Sequence, residues 1–449
     1  MTHTTGPTAD GGEPAAAADH SPASAAGPED SATGAPPATA VSPAEPAGDG
    51  LLRRALFLAT GSRLVLFLVA FASAAIIGVP GPSWTRRFPA GAEVFHGALA
   101  WLFNPWAHWD GSWYIKIAQY GYSSADGTAA FFPLYPLLLR GVGYVFGGNL
   151  VIAGIVISLA CYAGVVVVLY RLVALDFGRR TAFRATLYLS IFPTAFFFQA
   201  VYGESLFLLT ALLCIYWCRT AHWRLAGLAA LLAALTRSIG VLLIVPMAVM
   251  YLQSIDWSWR RLDSRAASLL LPPEGLLMWM AFLALVFGNP LLFLTSQSQW
   301  HRGLATPNYA LWHGLESVVQ GLRQLFSGQS THLYWPVEGN GSPFALANVN
   351  ITAFLITAAA CVLLLYGARR LPLAYTVWSL LAIGFPLLFP NTYQPLYSMP
   401  RFVLAAFPIF IALALFTERR PRAHVAVVIV SSLVLLALTV QFAVFAWVA

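Results

Sequence analysis

Long apolar runs, most of them closed by a cluster of arginines, recur from residue 55 to the end of the chain. A hydrocarbon core of about 30 Å takes roughly 20 consecutive apolar residues to cross as a helix. In that solvent only helices and closed barrels satisfy their own backbone groups. The runs lack the period-two alternation of barrel strands, so the expected fold class is all-α: a polytopic membrane helical bundle of about 11 helices, two of them short. Composition decides the remaining alternative. The chain is 59% hydrophobic and 10% charged, whereas a water-soluble domain carries about 25% charge, which excludes an ordinary soluble enzyme.

The net charge of +7 conceals an asymmetry. Residues 1–50 hold seven acids and no Lys or Arg, which leaves 25 bases against 11 acids in the rest. This Ala/Pro-rich acidic segment is too poor in large apolar groups to offset its ordering entropy, so a disordered cytoplasmic tail is expected over 1–50 and a membrane-embedded domain over 51–449. The first apolar run, 55–79, starts far from the N-terminus and reads as a retained helix rather than a signal peptide. Among the bases only Lys116 is a lysine, and most arginines sit between apolar runs. That placement signals topology, not a nucleic-acid surface, and no nucleic-acid partner is expected. Cys161, Cys214, Cys218 and Cys361 all lie in apolar segments without further metal ligands at short spacing, which reads as packing.

Taking arginine clusters as cytoplasmic gives one consistent topology. Helix 55–79 exits, residues 80–149 lie outside, and helices 150–172, 183–200 and 204–218 alternate across arginines 171–184 and 219–224. Residues 225–253 then leave and return to the same side, although two full crossings need about 40 residues. Their turn, Thr236-Arg237-Ser238-Ile239-Gly240, is therefore expected inside the outer half of the membrane. An arginine and irregular backbone are tolerable at that depth only beside protein or a wet cavity. Helices 268–287, 348–368, 372–389, 399–416 and 424–447 complete the bundle, with external stretches at 288–347 and 390–398. Within the first external stretch, 94–106 and 131–147 are apolar but too short or too broken by Pro and Gly to span, so re-entrant or interfacial helices are expected there.

Beyond the tail, acids are scarce enough that each outer-face carboxylate is a candidate. Asp110 stands in His108-Trp109-Asp110-Gly111-Ser112-Trp113-Tyr114. Its ordinary role is an Asx-turn; the flanking rings, which both anchor interfaces and stack on sugars, favour general-base use instead. Glu204 begins an inward helix, where capping and a second catalytic carboxylate both fit. Arg237 and Arg401 lie near the outer boundary, either snorkelling to lipid or gripping a substrate phosphate in bidentate fashion. Lys116 serves as a third phosphate cation or an interfacial lysine. Tyr135 lies in Phe131-Phe132-Pro133-Leu134-Tyr135-Pro136, whose two prolines bar an uninterrupted helix. Gln299, Trp300 and Asn308 belong to a polar, aromatic cluster of a kind that binds sugar hydroxyls.

These residues fall into five motifs: His-Trp-Asp-Gly-Ser-Trp-Tyr at 108–114, Phe-Phe-Pro-Leu-Tyr-Pro at 131–136, Tyr-Gly-Glu-Ser-Leu-Phe at 202–207, Leu-Thr-Arg-Ser at 235–238 and Pro-Arg-Phe at 400–402. Across about residues 50–416 the chain resembles the PIG-V type mannosyltransferases, in the order that family shows them. The resemblance implies a GT-C membrane glycosyltransferase that moves a sugar, typically mannose, from a polyprenyl-phosphate donor on the extracytoplasmic face. It further implies inversion by single displacement, β-linked donor to α-linked product, with Asp110 as general base, no cofactor and in general no metal. The partners it implies are the polyprenyl-phosphate-linked sugar, a lipid-linked glycan acceptor and membrane lipid. The chain departs from animal and fungal members at residues 236–240, where Asn is expected at the fourth position, and in its acidic tail. With its Ala/Arg/Gly-rich composition, those departures favour a bacterial plasma membrane and a bacterial lipid-linked acceptor. Two alternatives stay open: a GT-C enzyme for another lipid-linked sugar, and a transporter or flippase, for which no internal repeat speaks.

Overall fold

The computed structural model describes residues 50–78, 95–327, 343–392 and 394–448. The expected tail, apart from Gly50, and part of each long external stretch lie outside the described residues. Everything described is helix, turn or loop; among these residues the only strand-like feature is an isolated bridge between Arg302 and Asn391. Seventeen α-helical segments follow one another where about 11 helices were expected. The higher number arises because five further helices (Ala98–Phe103, Asp110–Tyr120, Leu134–Val145, Leu292–Thr295 and Pro307–Ser327) lie in the stretches read as external, and the run over 399–416 is divided in two. Five of the described helices are long and apolar enough to cross a membrane, or six if one bent pair counts as a span. The chain is a multi-pass membrane protein.

The first part of the bundle comprises α1 (Gly50–Ile76), α2 (Ala98–Phe103), α3 (Asp110–Tyr120), α4 (Leu134–Val145) and α5 (Leu150–Phe177). Helix α5 starts where the Asn149 side chain accepts from the Ile152 amide at 3.0 Å, and stops at Gly178, whose φ of +85° suits a residue without Cβ. Next comes α6 (Arg179–Ser190), which breaks before Pro193 and resumes as the 3-10 helix Ala195–Phe198. The carbonyls freed by that break are met from α1. Arg63, 4% exposed, donates to the carbonyl oxygens of Ser190, at 2.6 Å, and Ala195, with its guanidinium over the Tyr162 ring at 4.8 Å. A buried cation is tolerable here because main-chain acceptors and a ring face replace water.

Then follow α7 (Glu204–Arg219), α8 (Trp223–Thr236) and α9 (Ile244–Ser254). Between α8 and α9 lie Arg237, in extended conformation, and the 3-10 helix Ser238–Leu243. The short out-and-back pair expected over 225–253 is therefore present, with its break at the expected residues. The break folds hard against α8: a Cβ on Gly240 would lie 2.3–2.4 Å from backbone atoms of Ala233 and Ala234. Only glycine permits that approach.

The remainder is α10 (Leu271–Phe287), α11 (Leu292–Thr295), α12 (Pro307–Ser327), α13 (Pro343–Gly367), α14 (Leu373–Leu387), α15 (Met399–Phe402), α16 (Pro408–Thr417) and α17 (Pro421–Ala443). The run read as one helix over 399–416 is divided by a turn ahead of Pro408, and its two parts meet at 84°.

Contacts sort the loops into two ends. At one end Arg219 pairs with Asp176, which also accepts from Tyr375. Arg184 donates to the Thr417 carbonyl, and Tyr188 meets His424. Leu51, Arg180, Glu418 and His424 line one cavity there. Asp263, paired with Arg265, accepts from Tyr251, whose ring abuts Trp223. The arginine clusters used to read topology thus share one end of the bundle. The motif residues Asp110, Glu204, Arg237 and Arg401 gather at the other.

Candidate functional site

Asp110 is the first residue of α3, not a loop residue, and its N-terminal position there suits a carboxylate. The preceding Trp109 takes a φ of +56°, an unusual conformation for a bulky residue. Tyr202 ties this bend down: its hydroxyl donates to the His108 carbonyl at 3.0 Å and accepts from the Asp110 amide at 3.1 Å. Gly203 follows at the head of α7, with space for a Cβ limited by the Tyr114 hydroxyl at 3.2 Å. Three helix starts, α3, α7 and α15, and the broken turn after α8 therefore converge.

Their charged side chains form one chain of ion pairs. Arg401 Nη1 donates to Asp110 Oδ2 at 2.6 Å, and its Nε lies 3.3 Å from Glu204 Oε1. Arg237 Nη1 donates to the same Glu204 oxygen at 2.7 Å. The side chains of Glu204 and Arg401 are 5% and 7% exposed, whereas Asp110 and Arg237 retain 17% and 21%. Glu204 holds two guanidinium groups, and Asp110 and Arg237 form the accessible edges. Asp110 Oδ1 makes no hydrogen bond among the described residues.

A third cation completes the cluster. Arg302 donates to the carbonyls of Phe389 at 3.1 Å and Tyr397 at 3.2 Å. The guanidinium groups of Arg237, Arg302 and Arg401 all lie beside the one Phe402 ring, at 4.9, 5.3 and 5.4 Å from its centre. Burial lowers Arg302 to about 10, so it stays protonated at neutral pH.

Aromatic rings wall the cluster. Trp109 stacks on Phe445 at 4.6 Å and meets Trp447 edge-on at 4.9 Å, and Trp447 stacks on Tyr397 at 4.6 Å. Along α3, Trp113 stacks on Phe131 at 5.9 Å and meets Trp300 at 5.8 Å. Tyr114 packs edge-on to Phe131 and Tyr135. Trp113, one turn from Asp110, is half-buried, with Lys116 Nζ 5.2 Å from its ring centre, while Gln299 packs across Gly127 and Asn308 is exposed in the first turn of α12.

Three expected roles need revision on this geometry. His108 is 1% exposed and bonds through Nδ1 to the Phe442 carbonyl at 3.2 Å, and Tyr135 is fully buried with its hydroxyl on Gly154 and Ser158. Both lie buried behind the wall rather than on its surface. Lys116 is paired with Asp126 at 2.7 Å over the Trp113 ring, so its charge is already matched outside the ion-pair chain. Sequence reasoning missed Arg302, Tyr202, Tyr397, Phe445 and Trp447. Arg302 had one signal, its place beside Trp300 and His301; the two C-terminal rings resemble an ordinary interfacial belt. Among the described residues no three His, Cys, Asp or Glu side chains converge to hold a metal ion.

With this geometry in hand, comparison with known proteins is informative. Residues 64–262 match the model of the family described as mannosyltransferase (PIG-V). GPI mannosyltransferase 2 of Drosophila melanogaster is 27% identical over 207 residues, 41% of this chain and 45% of that protein. Its counterpart in Drosophila pseudoobscura pseudoobscura is 27% identical over 137 residues, 28% and 29% of the two chains. The matched stretches span less than half of either relative. Among solved structures, the oligosaccharyltransferase of Archaeoglobus fulgidus, crystallised with zinc and sulfate, aligns over 89% of this chain and 54% of its own at 14% identity and a TM-score of 0.44. Over residues 64–262, the stretch that contains four of the five motifs, the chain is similar to the PIG-V type mannosyltransferases.

Proposed function

We propose that this protein is an inverting GT-C glycosyltransferase that transfers a mannosyl residue from a polyprenyl-phosphate donor to a lipid-linked glycan on the extracytoplasmic face. The observation that carries the reading is the accessible Asp110 carboxylate, oriented by Arg401 and joined through Glu204 to Arg237. A phosphate is a good leaving group, so the protein needs one base for the acceptor hydroxyl and cations for the departing phosphate. In this reading the acceptor oxygen attacks C1 of the sugar from the face opposite the phosphate. Its proton passes to Asp110, and the C1–O bond breaks with its electron pair going to the phosphate oxygen. Arg237 and Arg401 hold that phosphate, Glu204 positions both arginines, and Trp113 and Trp300 supply ring faces for the glycan. The arginine-rich end would face the cytosol of a bacterium, which sets the ion-pair cluster toward the outside. A transporter finds less support, because the two candidate acids, Asp110 and Glu204, gather at one end of the bundle.

The test is transfer by the full-length protein in membranes supplied with polyprenyl phosphates bearing different sugars. Transfer of mannose in α-linkage from the β-linked donor is the expected result; preference for another sugar would redirect the assignment within lipid-linked donors. Loss of general-base catalysis is worth about 100- to 10,000-fold, so Asp110→Asn should lose transfer by that range while remaining folded. Transfer at the unaltered rate by Asp110→Asn would remove the proposal.

A further inference from the structure

We propose that Arg302 joins Arg237 and Arg401 in binding the phosphate of the lipid-linked donor and supplies the one positive charge that the cluster holds in excess of its carboxylates. This rests on the transfer reading above and assigns the cation that the sequence motifs do not contain. Asp110 and Glu204 contribute two negative charges, and Arg237, Arg302 and Arg401, all beside Phe402, contribute three positive ones. The cluster is therefore one positive charge in excess.

The excess resides on Arg302. Arg401 and Arg237 are engaged by the two carboxylates, whereas none of the ion pairs among the described residues involves Arg302. Its partners are two main-chain carbonyls, one on each terminal nitrogen. A guanidinium has five N–H donors, so more than half remain for a ligand. Arg302 is partly buried, and positive charge withdrawn from water without an ion-pair partner is costly, so an anion arriving beside it is correspondingly favoured. Lys116, the other outer-end base considered, is already neutralised by Asp126.

The reaction's own charges fit this excess before and after the chemical step. A sugar joined to a lipid through one phosphate is a diester with a single negative charge, so the donor-bound site is neutral. During transfer the acceptor proton neutralises Asp110, and the cluster gains a positive charge. At the same moment the C1–O electron pair leaves the lipid phosphate as a monoester dianion, which gains a negative one. The two changes cancel within the site, with no charge exchanged with solvent, which is the condition for electrostatic stabilisation in a buried environment. With Arg302 neutral, both states would be one positive charge short.

The test measures binding and does not depend on turnover. Full-length protein in nanodiscs is titrated with farnesyl phosphate, farnesol and inorganic phosphate, with tryptophan fluorescence as readout. The unaltered protein should bind farnesyl phosphate at least about tenfold more tightly than farnesol, the scale of one charge-assisted contact, and inorganic phosphate weakly. In Arg302→Gln, whose amide still donates to a carbonyl, that preference should fall to about threefold or less while farnesol affinity is unchanged; Arg302→Lys should keep part of it. Should Arg302→Gln fail to accumulate, Arg302→His serves, with the preference present at pH 5.5 and lost at pH 8. Full preference in Arg302→Gln, no pH dependence in Arg302→His, or no preference in the unaltered protein overturns the proposal. Asp110→Asn should keep the phosphate preference, so failure of the general-base reading and failure of this one are distinguishable.

Discussion

Arg401 reaches two carboxylates that lie 94 residues apart in sequence, Asp110 and Glu204, and this single side chain makes one site out of motifs scattered over the chain. Asp110, Glu204, Arg237 and Arg401 all stand out as candidates in the sequence, because charged residues are rare here and each falls in a motif, and the structure brings the four together. Their pairing was not legible: nothing in spacing says that Glu204 accepts from Arg237 rather than capping α7 alone. Arg302 carried too weak a local signal, since its importance comes from a ring, Phe402, contributed 100 residues later. Two outcomes follow at this scale. Arg237→Ala removes a charge-assisted contact worth about 1.5–3 kcal/mol, so donor KM should rise roughly tenfold or more in a steady-state transfer assay; unchanged donor KM would mean that Arg237 only serves Glu204. Glu204→Gln leaves two buried guanidinium groups without their counter-charge. Its kcat should fall by more than about tenfold with the acceptor KM little changed, and an unaffected kcat would show that Glu204 does not position the arginines.

The helix pair α8 and α9 shows how a length argument fixes an element. About 29 residues were expected to leave and return, too few for two full crossings, and the expected break occurs at Arg237 with a 3-10 turn behind it. By contrast, the divisions within 183–200 and 399–416 were not foreseen, because hydropathy averages over prolines whose effect is local. The stop of the broken turn against α8 depends on Gly240, whose Cβ position is already filled by backbone of Ala233 and Ala234. Backbone atoms cannot rotate aside as a side chain can. Gly240→Ala should therefore destabilise the protein by about 1–3 kcal/mol, seen as a lower midpoint in thermal unfolding in detergent, and should reduce transfer by displacing Arg237. A midpoint equal to that of the unaltered protein would contradict the tight approach.

The whole molecule has two chemically different ends. One gathers the arginine loops, with Arg184, Arg219 and Arg265 held in local contacts. The other gathers Asp110 and Glu204 with the arginines paired to them. The alternation of spans and arginine clusters made this division readable from the sequence, since an odd number of crossings between clusters would have broken it. The account requires the carboxylate end to meet a membrane-dissolved sugar carrier away from the cytosol. The direct measurement is labelling of single cysteines by a membrane-impermeant maleimide, in a chain whose four native cysteines are replaced. Ser124 and Ser254 are exposed at the site end and the arginine end respectively. In intact cells Ser124→Cys should react and Ser254→Cys should react only after permeabilisation; the reverse pattern would place Asp110 in the cytosol and contradict the account.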